Sequence, residues 1–120
     1  MIDHFNLPVS DLTRSQAFYE RVLAPLGCRF LLRDGSAAGF GEDSWRFGII
    51  ALDPPLQRLH LAFAARSRAE VDASYRAAIE AGARSNGEPG IRAAYDPDYY
   101  AAYVLDPDGH NLEFVCRKPL

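Results

Sequence analysis

His4-Phe5-Asn6-Leu7-Pro8-Val9 near the start of the chain and Leu59-His60-Leu61-Ala62-Phe63-Ala64 past its midpoint carry the same pattern. Each alternates polar and apolar residues, the period of a strand with one buried face. Each is followed by a helix start: Ser10-Asp11 supplies an N-cap, and Ser67-x-x-Glu70 reads as a capping box. Leu12, Phe18, Tyr19, Val22 and Leu23 then recur at helical spacing, as do Val71, Tyr75, Ala78 and Ile79. Pro25 and Gly27 stop the first helix, and Gly82 stops the second. With His4 laid on His60, Phe5 meets Leu61, Leu7 meets Phe63, Ala17 meets Ala73, Tyr19 meets Tyr75 and Leu23 meets Ile79. The chain therefore repeats one unit, and two such units are expected to share a core.

The rest of each unit reads as strands. In the first, residues 29–33 and 44–52 are strand-like, with a shorter glycine-broken candidate at 37–41, and Asp53-Pro54-Pro55 forms the joint. In the second, Arg84 begins a short strand, residues 86–90 read as loop, and 99–105 with 110–116 form a hairpin around Asp106-Pro107-Asp108-Gly109. The expected fold is α+β, one domain over residues 1–120. Two βαβββ modules (about 1–53 and 57–117) form a cup-shaped antiparallel sheet with helices on the outer face.

Composition narrows the function classes. The chain has 120 residues, 48% of them apolar and 24% charged, enough for one core but not for two independent domains. A formal net charge of −3, with Lys118 the single lysine, argues against a phosphate-backbone binder, so no nucleic-acid partner is expected. An acid sits where a secretion signal would be basic, and no apolar run approaches the ~20 residues that span a bilayer. Cys28 and Cys116 lie far apart inside apolar runs and read as reduced, buried thiols. The expectation is a cytoplasmic protein with no membrane partner.

Strand parity nominates a site. If Phe5, Leu7 and Val9 face the first helix, His4 faces away from it; by the same rule His60 opposes Leu59, Leu61 and Phe63, and Glu113 opposes Leu112 and Phe114. Two imidazoles and one carboxylate suit a divalent ion such as Zn²⁺, Fe²⁺, Mn²⁺ or Ni²⁺, and three protein ligands leave coordination open for substrate. Each residue alone reads rather as an ordinary strand or surface side chain. Two histidines at equivalent repeat positions, joined by the carboxylate, favour metal.

The stretch from His4 to Leu12 with Ser15 and Phe18-Tyr19, the segment Leu59-His60-Leu61-Ala62-Phe63, and the tail Asp106-Pro107-Asp108-Gly109-His110-Asn111-Leu112-Glu113 together resemble the vicinal oxygen chelate superfamily. That superfamily includes glyoxalase, fosfomycin-resistance, bleomycin-resistance and extradiol dioxygenase relatives. The run Tyr95-Asp96-Pro97-Asp98-Tyr99-Tyr100-Ala101-Ala102-Tyr103 is similar to a glyoxalase-like branch. The resemblance implies a metal-bound small oxygenated substrate, lyase, isomerase, transferase or dioxygenase chemistry, and a homodimer. It also implies a fourth ligand in glyoxalase I. Aligning the last strands of the two units puts Gly48 opposite Glu113, with Ile49 and Ile50 following, so no such ligand is present and glyoxalase I activity is not expected. The alternative is a metal-free bleomycin-resistance-type module that sequesters a small molecule on its aromatic residues.

Further candidates are weaker. Arg46 shares parity with Gly48 and Ile50 and reads either as a holder of an anionic substrate group or as a solvent-facing strand-start arginine. A hairpin closed around residues 106–109 without a bulge would set Tyr100 on the face of Glu113, where it could serve as an acid–base group, and Tyr103 on the helix side. Arg92 and Tyr95 fall in a presumed lid at residues 86–98, and Trp45 and Tyr99 read as substrate-lining or core aromatics. His110, directly after the turn glycine, reads as exposed and not a ligand.

Overall fold

Asp11 accepts a hydrogen bond from the Arg14 amide, and Ser67 accepts one from the Glu70 amide. These caps start the two helices where the sequence places them. The computed structural model describes residues 2–52 and 57–119, and the Asp53-Pro54-Pro55 joint lies outside the described residues. The chain splits into two compact units, Met1–Gln57 and Arg58–Leu120.

The first unit runs β1 (Phe5–Val9), α1 (Leu12–Leu23), a 3₁₀ turn at Ala24–Leu26, β2 (Arg29–Asp34), β3 (Ala37–Gly41) and β4 (Trp45–Ala51), with sheet order β1-β4-β3-β2. The second runs β5 (His60–Ala64), α2 (Arg68–Glu80), β6 (Arg84–Ile91), β7 (Tyr100–Leu105) and β8 (Asn111–Cys116), in the order β5-β8-β7-β6. Both units are thus βαβββ modules within an α+β fold.

Each sheet is mixed rather than wholly antiparallel, because β1–β4 and β5–β8 pair in parallel. Chain direction explains this. The helix carries the chain back, so β2 runs with β1, and two antiparallel turns bring β4 into line with both.

Each helix packs on its own module's sheet. Leu7, Val9, Tyr19, Val22, Phe40 and Ile49 are fully buried in the first module, where the Tyr19 ring lies 5.0 Å from Phe47. Val71, Ala78, Val104, Leu112 and Phe114 are fully buried in the second. Each large apolar side chain so buried stabilises by about 1.5–3 kcal/mol relative to exposure. Among the described residues no helix is long and apolar enough to cross a membrane. Cys28 and Cys116 are not joined in a disulfide, and the latter is buried.

Two local expectations are corrected. Residues 86–90 are not loop: β6 continues to Ile91, broken by irregular register between Ser85 and Gly87 and between Gly87 and Gly90. Two glycines and a proline in one edge strand hide it from a propensity reading. The presumed lid at 86–98 therefore shrinks to the segment after Ile91.

The second correction is the turn between β7 and β8, which includes His110 because Leu105 pairs with Asn111. Asp106 Oδ1 accepts from the amides of Asp108 (3.0 Å) and His110 (2.8 Å). His110 is not exposed but fully buried, with its Nδ1 accepting from the Leu59 amide at 3.0 Å. That bond ties the turn to the start of β5 and commits the Nδ1 nitrogen to the backbone.

Asp106→Ala should lower stability by about 1–3 kcal/mol, since it strands the buried His110 amide, whereas Asp106→Asn keeps an acceptor and should cost less. Denaturant titration monitored by circular dichroism reads the difference. Equal losses in the two variants would show that the acceptor does not matter.

Candidate functional site

Glu113 is the side chain that most needs explaining. It sits in the middle of β8, is 3% exposed, and lies on the sheet face opposite α2. A buried carboxylate is tolerated only when its oxygens are satisfied. Oε2 accepts from the Tyr99 hydroxyl and, at 3.3 Å, from the Tyr103 hydroxyl. Oε1 lies 3.1 Å from His60 Nε2.

The His60 ring is fixed at its other nitrogen, where Nδ1 meets the Asn111 carbonyl oxygen at 3.1 Å. A carbonyl only accepts, so Nδ1 carries the proton, and in the neutral ring Nε2 turns a lone pair toward Glu113 Oε1. Two acceptors at that distance require a proton or a metal ion between them. The remaining atoms of both residues are held by the bonds that typically orient metal ligands: a backbone carbonyl on the imidazole and hydroxyls on the carboxylate. The donor set of this pair fits a divalent cation.

The tyrosines stay protonated. Burial, then the hydrogen bond to Glu113, pushes the Tyr99 hydroxyl up to about 12. Burial, then the charge of Glu113, raises Tyr103. Both are therefore donors at neutral pH. Tyr103 also stacks toward His60, with centroids 6.5 Å apart. Tyr99, Ala101 and Val115 form a small apolar patch against which Tyr103 packs.

Placement of the tyrosines reverses the sequence expectation. Because His110 belongs to the turn, Tyr103 pairs with Glu113, and odd-numbered residues of β7 share its face. Tyr100 points to the helix side instead, where its hydroxyl donates to Asp72 Oδ1 at 2.6 Å. That bond, then burial, raises its pKa. Tyr100 is removed from the carboxylate, while Tyr103 joins it. One residue of turn length decides this, and the buried His110 was the missed signal.

Around this centre Arg92 lies over the Tyr103 ring at 5.3 Å and Arg117 over the Tyr99 ring at 5.1 Å. Tyr95 leans edge-on against Tyr99, 5.1 Å between centroids, and remains 70% exposed. Arg117 was not singled out in the sequence, since nothing local distinguishes it from Lys118.

In the first module, His4 precedes β1. Its Nδ1 lies 2.9 Å from Asp3 Oδ1, which leaves Nε2 as the lone-pair nitrogen of the neutral ring. The ring packs on Trp45 at 4.5 Å. Arg46 donates to Asp3 Oδ2 at 2.8 Å, so it helps orient Asp3. The hydrogen bond from His4 and then the charge of Arg46 lower the Asp3 pKa. A hollow of about 140 Å³ is lined by Asn6, Leu32, Asp34, Ala37, Ala38, Gly39 and Trp45.

The registers test the repeat alignment. Gly48 pairs with Asn6 and Gly39, as Glu113 pairs with Ala62 and Tyr103. Gly48 is thus the structural counterpart of Glu113. A Cβ on Gly48 would stand 2.1 Å from Asn6 Oδ1 and 3.2 Å from the Trp45 ring, so the space of a fourth ligand is already filled. Among the described residues no group of three or more His, Cys, Asp or Glu is gathered as a metal cluster; the pair His60–Glu113 belongs to the second module, and His4 belongs to the first.

A family model described as the glyoxalase/bleomycin resistance protein/dioxygenase superfamily matches residues 1–114. A glyoxalase/bleomycin resistance protein from Albidiferax ferrireducens T118 is 30% identical, with 95% of this chain and 97% of that chain covered at a TM-score of 0.86. A glyoxalase/bleomycin resistance protein/dioxygenase family enzyme from Burkholderia phytofirmans PsJN has the same fold at 21% identity, with 98% of each chain covered and a TM-score of 0.75. So does the fosfomycin resistance protein FosX from Listeria monocytogenes, at 21% identity, 97% and 92% coverage and a TM-score of 0.73. Comparison with curated proteins returns no match.

Gly48→Ala should destabilise the chain by about 1 kcal/mol or less, because the close Oδ1 is the far end of the exposed Asn6 side chain, which can turn away, and the Trp45 ring need shift only slightly. In an Asn6→Ala background the same change should cost less. A double-mutant cycle measured by chemical denaturation gives the coupling, and strict additivity would contradict the assigned contact.

Proposed function

This chain belongs to the glyoxalase/bleomycin resistance protein/dioxygenase superfamily, and from that premise we propose that it is a metal-dependent enzyme acting on a small oxygenated substrate. The observation that carries the reading is the facing pair of His60 Nε2 and Glu113 Oε1, 3.1 Å apart, each oriented from behind by its own hydrogen bonds. His60 and Glu113 hold the ion, with His4 as the third ligand on the ground of its repeat equivalence to His60. A Zn²⁺, Fe²⁺, Mn²⁺ or Ni²⁺ ion there would stabilise negative charge developing on a substrate oxygen.

The chain's own groups have separate tasks. Tyr99 and Tyr103 fix Glu113 by donating to one of its oxygens, leaving the other for the ion. The Asn111 carbonyl sets the tautomer of His60, and Asp3 does the same for His4. Arg92, Tyr95 and Tyr99 are the substrate-facing groups on the second module. Trp45 and Arg46 are proposed for the first, with Arg46 acting through Asp3. The filled space beside Gly48 sets the chain apart from a four-ligand glyoxalase I, so the reaction belongs to another branch. Assembly as a homodimer in the cytoplasm is part of the same proposal.

A second reading, a metal-free binding module of the bleomycin-resistance type, draws on the aromatic patch of Tyr95, Tyr99 and Tyr103. Metal analysis separates the two. Wild-type protein incubated with Zn²⁺ or Mn²⁺ and dialysed should retain near-stoichiometric metal. His60→Ala and Glu113→Gln should abolish retention, and Tyr99→Phe should weaken it roughly 10–100-fold, the usual loss when a ligand's orienting partner is removed. Wild-type protein that neither retains nor rebinds metal, yet is stabilised by planar ligands regardless of EDTA, would replace the enzyme reading with the binding module.

A further inference from the structure

Two arginines of the second module lie on the rings whose hydroxyls meet at Glu113. Arg92 covers Tyr103 at 5.3 Å and Arg117 covers Tyr99 at 5.1 Å, and both hydroxyls converge on Glu113 Oε2. Arg92 is half-buried and is steadied by donating from Nη2 to the Glu88 carbonyl at 2.5 Å. Its position also depends on the broken register of β6. A Cβ on Gly87 would lie 2.9 Å from the Tyr103 ring and 3.2 Å from Arg92 Nη2, so the glycine lets the guanidinium and the ring come together. Among the described residues neither arginine is paired with a carboxylate, whereas Arg46, Arg66 and Arg68 all are. Among the described residues, two guanidiniums without an acidic partner thus stand on the rings that hold the buried Glu113 carboxylate, whose imidazole partner His60 is exposed.

We propose that Arg92 and Arg117 form an oxyanion-binding subsite, and that the substrate is a carboxylate or phosphonate carried on a planar or unsaturated skeleton. The assignment rests on the proposed function only in calling the ligand a substrate. Guanidinium forks match carboxylate and phosphonate oxygens, and guanidiniums laid on tyrosine rings are held in place before the ligand arrives. Glu113 is buried behind the two phenols, whose hydroxyls bind its Oε2, so an anion held by the guanidiniums meets the tyrosines and not the carboxylate. Tyr95, 70% exposed against Tyr99, supplies an aromatic edge for the apolar part of the ligand.

The test uses the full chain with benzoate, phenylphosphonate and neutral benzamide as probes, titrated by calorimetry in EDTA-treated and in zinc-incubated protein. Benzoate or phenylphosphonate should bind EDTA-treated wild type at least about tenfold more tightly than benzamide, in line with a charge-assisted hydrogen bond, and more weakly as salt rises. Which of the two binds identifies the group. Arg117→Gln, an exposed substitution, should lose about tenfold, Arg92→Gln a similar amount, and Arg92→Lys should recover part of it. The proposal is overturned if benzamide binds as well as the anions, if neither anion binds, or if the folded double variant Arg92→Gln/Arg117→Gln binds as wild type does. Failure to retain zinc would remove the metal reading yet leave the EDTA-treated comparison of anion and amide intact.

Discussion

Burying the Glu113 carboxylate is the constraint around which the second module is arranged. A carboxylate at 3% exposure costs several kcal/mol unless each oxygen is answered, and three side chains from the two neighbouring strand segments answer it here. Tyr99 approaches from just before β7, Tyr103 comes from within it, and His60 comes from the parallel neighbour β5. The carboxylate therefore fixes the register of its own strand against both neighbours. A slip of one residue would turn Glu113 into the apolar layer under α2 and Phe114 toward the tyrosines. The same satisfaction leaves one lone pair on the carboxylate and one on the imidazole facing each other, so the demands of folding and of ion binding coincide.

The first module shows what the fold needs without that constraint. Its strands pair in the same order and register, yet the pair equivalent to Tyr103 and Glu113 is Gly39 and Gly48. The cleared space is occupied by the Asn6 amide and the Trp45 ring rather than by a ligand. Duplication has kept the βαβββ scaffold and the histidine ahead of or at the first strand of each module while the remaining chemistry diverged. Scaffold and site are separable, and family membership alone leaves the reaction open.

Much of this was legible in the residues. The alternation around His4 and His60, the Asp11 and Ser67 caps, and the stops at Gly27 and Gly82 give the repeated strand–helix unit from local physics; Asp11 and Ser67 cap as read, while the Glu70 carboxylate accepts from the Arg66 amide rather than from that of Ser67. The alignment of Gly48 with Glu113 was also readable, and the two sheet registers reproduce it. What misled was turn length. Asp106-Pro107-Asp108-Gly109 reads as a turn that is complete in itself, but the Asp106 carboxylate also captures the His110 amide. The extra residue exchanges Tyr100 and Tyr103 between faces, and with it the identity of the groups touching Glu113. Strand β6 was obscured for another reason: glycine and proline break the periodicity, and only pairing with β7 reveals the strand.

By itself, the sequence determined the repeated unit, the faces of β1, β5 and β8, and the nomination of His4, His60 and Glu113, because these depend on period and local capping alone. Tertiary structure decided which tyrosines reach the carboxylate, that His110 is buried against the Leu59 amide, that Arg92 and Arg117 lie on the tyrosine rings, and that Asn6 fills the space beside Gly48. Each of those outcomes turns on pairing between strands distant in sequence. There a single residue of turn or bulge reverses a face, and no local pattern records it.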